Sequence, residues 1–140
     1  MSGKDLLLSA VAHQNLTPVP IPEVPALDGK IFVRVMNAGE RHLYFSVALD
    51  ARGQGQMISD YEVVAICACE ADGTPMFHTR DKDGRISIDA DDVNRLRQVD
   101  GRAIHAIAEK ALDVSGMKLE ATADAKKNSQ TTPSDDSSSA

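Results

Sequence analysis

Apolar and polar positions alternate most cleanly over residues 31–36, where Ile31, Val33 and Val35 interleave with Phe32, Arg34 and Met36. A period of two places successive side chains on opposite faces, so the segment is predicted as a strand. Asp28-Gly29 just before it is a tight-turn dipeptide, and residues 24–27 are the expected partner of a short hairpin. The period then changes. Leu43, Tyr44, Val47, Ala48 and Leu49 follow helical spacing, with Asn37 as N-cap and Glu40 three residues on, where its carboxylate can reach back to the cap N–H. This helix is predicted to run to about Arg52 and to stop at Gly53.

Ser59 and Glu62 repeat the capping spacing ahead of a second helix over residues 59–69. Its middle is rich in β-branched residues, so a strand over 61–69 is the competing reading. Asp72-Gly73 marks a turn, and residues 74–80 and 85–88 are expected to pair as a second hairpin around Asp81-Lys82-Asp83-Gly84. Asp89 caps a short helix holding Val93 and Leu96. Asp100 caps the last helix, whose Ile104, Ile107, Ala108, Ala111 and Leu112 form an i, i+3, i+4, i+7, i+8 stripe ending near Gly116.

The flanks differ from this middle. Residues 4–14 are predicted as a short amphipathic helix with Leu6, Leu7, Val11 and Ala12 as contacts. Pro18, Pro20, Pro22 and Pro25 then exclude a helix or a central strand and leave a stiff, extended arm. From about Glu120 no bulky apolar residue remains, and such a segment cannot offset its ordering entropy by burial. The expected organisation is a helix and Pro-rich arm over 1–23, one domain over 24–119 and a disordered polar tail over 120–140. The fold class is α+β: a short N-terminal β-hairpin, a small domain of three to four helices, and a second hairpin.

Composition narrows the functional classes. The chain carries 15 Lys and Arg against 21 Asp and Glu, a net charge of -6, which argues against nucleic acid or anionic membrane surfaces as partners. No stretch approaches the ~18 apolar residues of a membrane span, and the N-terminus lacks the form of a signal peptide, so a soluble intracellular protein is expected. The core has no Trp, two Tyr and three Phe to draw on and must be built of smaller aliphatic side chains. Cys67 and Cys69 lie in an apolar run and supply too few ligands for structural zinc, so they are read as packing residues. The Asp81–Gly84 segment lacks the remaining ligands of a calcium loop. Asp89, Asp91 and Asp92 suit a helix start. Gly53-Gln54-Gly55-Gln56 lacks the surroundings of a phosphate loop, and His13, His42, His78 and His105 fit no metalloprotease pattern. The chain is therefore expected to be an interaction module without cofactor or metal, not an enzyme.

Three segments, in order, carry a resemblance to a known family. They are Val24-Pro25 with Gly29-Lys30-Ile31-Phe32-Val33-Arg34-Val35 and Ala38-Gly39-Glu40-Arg41; "YEVVAICACEADGTPMF" at 61–77; and "AEKALDVSGMKLEATADAKKN" at 108–128. Together the chain resembles the tail assembly chaperones of long-tailed (siphovirus-type) bacteriophages over most of residues 24–128. It departs from them in the inserted segment His78 to Ser87.

The resemblance implies a protein that coats the tape measure protein, keeps it soluble, helps recruit tail tube subunits and then leaves. It would act in the host cell cytoplasm and be absent from the mature virion. The tape measure protein is the implied partner, the tail tube protein a second one through a longer frameshifted product, and self-association is compatible with both. Ribosomal frameshifting is common in the family, and Lys126-Lys127 is where a slippery adenine run would fall. The expected contact surface is the apolar part of the 40–52 helix with the neighbouring strand edge: Phe32, Arg34, Leu43, Tyr44 and Val47. Rival readings are a small acidic secretion-type chaperone or adaptor, and a structural tail component retained in the virion.

Overall fold

The computed structural model describes residues 2–11 and 15–117. Their elements are α1 (Gly3–Ser9), β1 (Thr17–Pro18), β2 (Phe32–Val33), α2 (Ala38–Gly53), α3 (Asp60–Cys67), β3 (His78–Arg80), β4 (Ile86–Ile88), α4 (Ala90–Leu96) and α5 (Gly101–Val114). Among the described residues these make two small antiparallel sheets, β1-β2 and β3-β4, beside five helices, which is an α+β fold. The tail expected to be disordered lies outside the described residues.

α3 is the centre of the core. Every residue from Val63 to Cys69 is buried, and the helix packs against α5, α4 and α2. Burial on all sides removes the apolar-polar alternation, which is why its sequence reads equally as a strand; the Glu62 carboxylate, accepting from the Ser59 N–H at 3.2 Å, marks the start of a helix. α5 presents Ala103, Ile104, Ile107, Ala108, Ala111 and Leu112 to α3, the predicted stripe plus Ala103. Small residues at 103, 108 and 111 suit a close approach of α5 to the rest of the core.

Both long helices end in the same way. After α5, the Gly116 N–H donates to the Asp113 carbonyl and the Met117 N–H to the Leu112 carbonyl, with Gly116 at φ 72°. After α2, the Gly55 N–H donates to Arg52 and the Gln56 N–H to Ala51, with Gly55 at φ 72°. Each pair of bonds satisfies carbonyls the helix leaves open, and the left-handed residue suits glycine. The glycine that ends α2 is thus Gly55; Gly53 stays within the helix.

The first hairpin differs from expectation. β2 pairs with Thr17–Pro18, not with residues 24–27. Residues 24–27 instead sit in turns, with Val24 N–H donating to Ile21, Leu27 N–H to Val24 and Lys30 N–H to Leu27. Asp28-Gly29 helps close this broad loop: the Asp28 carboxylate accepts from the Ile21 N–H at 2.8 Å, and the Gly29 N–H donates to the Val19 carbonyl at 3.0 Å. The alternation of prolines explains the pairing. Pro18, Pro20 and Pro22 lack N–H groups, while Val19 and Ile21 between them keep theirs and turn inward, at 1% and 0% exposure. The arm is therefore part of the core, and a boundary at residue 23 would cut through it.

α1 buries none of its residues; Leu6, Leu7 and Val11, expected as contacts, are exposed, as is Leu8. Ala12 lies outside the described residues. The second hairpin forms as predicted, His78 opposite Ile88 and Arg80 opposite Ile86.

Candidate functional site

The residues of the strand-to-helix junction converge on one buried carboxylate. Asn37 caps α2 by accepting from the Glu40 N–H at 2.8 Å, and Glu40 Oε1 accepts from the Asn37 N–H at 3.0 Å. The same carboxylate takes a bidentate pair from Arg34, Nη1 to Oε1 at 2.7 Å and Nη2 to Oε2 at 3.0 Å. His78 completes it, with Nε2 2.9 Å from Oε2. Arg34 and Glu40 are 6% and 1% exposed.

This geometry decides the charges. Burial works to raise the Glu40 pKa, but the hydrogen bonds from His78, Arg34 and the Asn37 backbone outweigh it and hold the carboxyl below its ordinary value. Burial likewise works against charge on Arg34, and the bonds to Glu40 raise it on balance. With Glu40 ionised, His78 Nε2 must carry the proton and donate. Four donors occupy the carboxylate, so it is a clamp joining the end of β2, the start of α2 and β3. It is not a free base. The Arg34 Nε is buried without a hydrogen-bond partner. The clamp is reinforced beside it, where Ile86 of β4 lies over Gly39; a Cβ at that position would meet Ile86 Cδ1 at 3.1 Å.

These contacts relocate the expected contact residues. Arg34 is committed to Glu40 and buried to 6% exposure. Beyond Val33 the strand ends: Arg34 and Met36 turn inward and Val35 outward. Phe32 is half-buried, and its edge is taken, since its N–H donates to Cys69 and its carbonyl accepts from the Cys69 N–H. Leu43 and Tyr44 pack partly buried against the core, and Val47 is half-buried. The large apolar side chains that α2 leaves in solvent are Phe45 and Leu49. Helical periodicity alone could not separate the two faces, because both carry large apolar residues.

Cys67 and Cys69 are free thiols and buried. Burial pushes both thiols up, away from the reactive thiolate, in keeping with packing residues. Among the described residues no three His, Cys, Asp or Glu side chains are placed to hold a metal ion. The Asp81–Gly84 turn closes on the Asp81 side chain, whose Oδ1 accepts from the Asp83 and Arg85 N–H groups. His105 of α5 bridges Asp60 at the start of α3 and Glu109 one turn on, each at 3.0 Å. An open cleft of about 440 Å³ between Pro20, Glu23 and α5 has walls of mixed charge, Arg102 and Lys110 against Glu109 and Asp113. No helix among the described residues is long and apolar enough to cross a membrane. Searches of family models, curated proteins and solved structures find no match to the chain.

Proposed function

We propose that the protein is a tail assembly chaperone of a long-tailed bacteriophage: it binds the tape measure protein in many copies, keeps it soluble, assists recruitment of tail tube subunits, and leaves before the tail is complete. The observation that carries this reading is the ordered resemblance over residues 24–128. The clamp gives its first segment a physical purpose. Arg34 from the G-K-I-F-V-R run and Glu40 from the A-G-E-R run are the two ends of one buried ion pair.

The physical demands agree. A tape measure exposes long apolar helical stripes, so a small domain must cover it in multiple copies and remain soluble while offering apolar contact. A net charge of -6 supplies the first, and exposed apolar side chains on α1 and α2 supply the second. Release then follows from competition by tube subunits. The protein acts in the host cell cytoplasm.

The test is co-expression of the tape measure protein with and without this chain. The expected result is a rise in soluble tape measure, recovered as a complex of many chaperone copies per tape measure by light scattering. Equal solubility, or a strict one-to-one complex, overturns the coating mechanism. Mass spectrometry of purified particles should find the protein absent; its presence there would make it a structural tail component.

A further inference from the structure

The solvent face of α2 has a composition unlike the chain as a whole. At about 100° per residue, Ala38, Arg41, His42, Phe45, Leu49 and Arg52 fall within one narrow stripe. All six are exposed, and the two large apolar members, Phe45 and Leu49, are 45% and 64% exposed. The stripe contains no acid, although acids outnumber bases 21 to 15 in the chain. Asp50 lies about 100° or more round the helix from both Phe45 and Leu49. The acid of the first turn, Glu40, is turned inward and consumed by the clamp. Past Ala38, the order along the stripe is Arg41 and His42, then Phe45 and Leu49, then Arg52, with the two arginines about 16 Å apart along the axis. Arg41 stacks over the Phe45 ring at 5.4 Å, and Tyr44 meets its edge, so the aromatic is held in place at the surface.

We propose that this face docks an amphipathic helix whose apolar residues are bracketed by acids about three turns apart. Charge complementarity selects that occupant. A basic-flanked or neutral apolar helix would leave both arginines desolvated at the rim or repelled, whereas a glutamate at each end meets one arginine and leaves the middle for Phe45 and Leu49. A second copy presenting the same stripe would bring arginine against arginine. The natural partner being a tape measure helix rests on the reading given under Proposed function; the docking chemistry does not.

The test uses the full chain and two synthetic helical peptides with the same apolar stripe, one bracketed by glutamates and one by lysines, followed by fluorescence anisotropy at low salt. The glutamate peptide should bind about tenfold tighter, two rim pairs changing from attraction to repulsion. The double variant Arg41→Glu, Arg52→Glu should reverse that preference. The double variant Phe45→Ser, Leu49→Ser should lose both peptides while keeping the wild-type circular dichroism and melting curve. Equal affinity for the two peptides, or binding that survives Phe45→Ser, Leu49→Ser, overturns the proposal. So does self-association of the wild type that this variant abolishes, which would make a second copy the occupant. Tape measure solubility separates this from the functional reading. If the peptides behave as expected and the tape measure stays insoluble, the docking face stands and the chaperone reading falls. If the tape measure is solubilised equally by the Phe45→Ser, Leu49→Ser variant, the chaperone reading stands and this face is not its contact.

Discussion

Glu40 holds the junction because it joins two roles that usually belong to different residues: it closes a capping box and it neutralises a buried arginine. Removing one partner of such a pair leaves the other charge buried and alone, which costs far more than removing both. Glu40→Ala should therefore destabilise the protein by about 3–5 kcal/mol in urea unfolding. The double variant Arg34→Met, Glu40→Met should be less damaging than that single change, and a larger loss would show that the bonds themselves dominate. Titration has opposite signs at two sites. Glu40, with its pKa depressed in the folded state, contributes stability that is complete above its unfolded value and is lost as pH falls through the folded one. His105 is raised, first by the bond to Asp60, so its contribution is complete below the ordinary value of 6.5 and fades as pH rises through the folded value. His105→Gln should flatten the change in melting temperature across that upper window and leave the acid limb intact. The effect is expected to be small, since the His105 side chain is 60% exposed.

At the scale of elements, α5 and α2 differ in how much of each is spent on the core. α5 buries six residues in one stripe, and a charge there has no partner. Ile104→Asp or Leu112→Asp should abolish the cooperative melting transition. Phe45→Ser, on the outer face of α2, should leave it unchanged, and equal damage from both changes would refute the assignment of faces. Gly116 closes α5 at φ 72°, so Gly116→Ala should cost about 1–2 kcal/mol without altering the core. The second hairpin is held to α2 through His78 and Ile86, and the Ser87 side chain opposite Thr79 remains exposed. The segment 78–88 is thus built into the clamp, with its turn left in solvent.

The molecule as a whole depends on its Pro-rich segment in a way that its extended character conceals. A chain starting at residue 16 loses no described residue that is buried, and it should melt as the full chain does. A chain starting at residue 23 loses Val19 and Ile21, each worth about 1.5–3 kcal/mol of burial, together with the pairing of β1 with β2. Against a typical total stability of about 5–15 kcal/mol, that loss should leave it unfolded or nearly so by circular dichroism. A cooperative melt retained by the shorter chain would return the segment to the status of an arm.

Local patterns were enough for what local physics controls. The spacing of Asn37 and Glu40, of Ser59 and Glu62, and the stripe of α5 stated helix starts and a core face, because capping and periodicity act within a few residues. The α+β class and the turn at Asp81–Gly84 were legible for the same reason. Three features needed the folded chain. Which segment pairs with β2 depended on Val19 and Ile21 finding the core, a contact no pattern over 17–33 reveals. Which face of α2 is outward was hidden because both faces are apolar, and only the packing of α3 against one of them chose. The clamp was half visible as a capping box, but Arg34 and His78 reach Glu40 from six and 38 residues away. Burial turned a solvated cap into an ion pair, because inside the protein a carboxylate must find every donor it can.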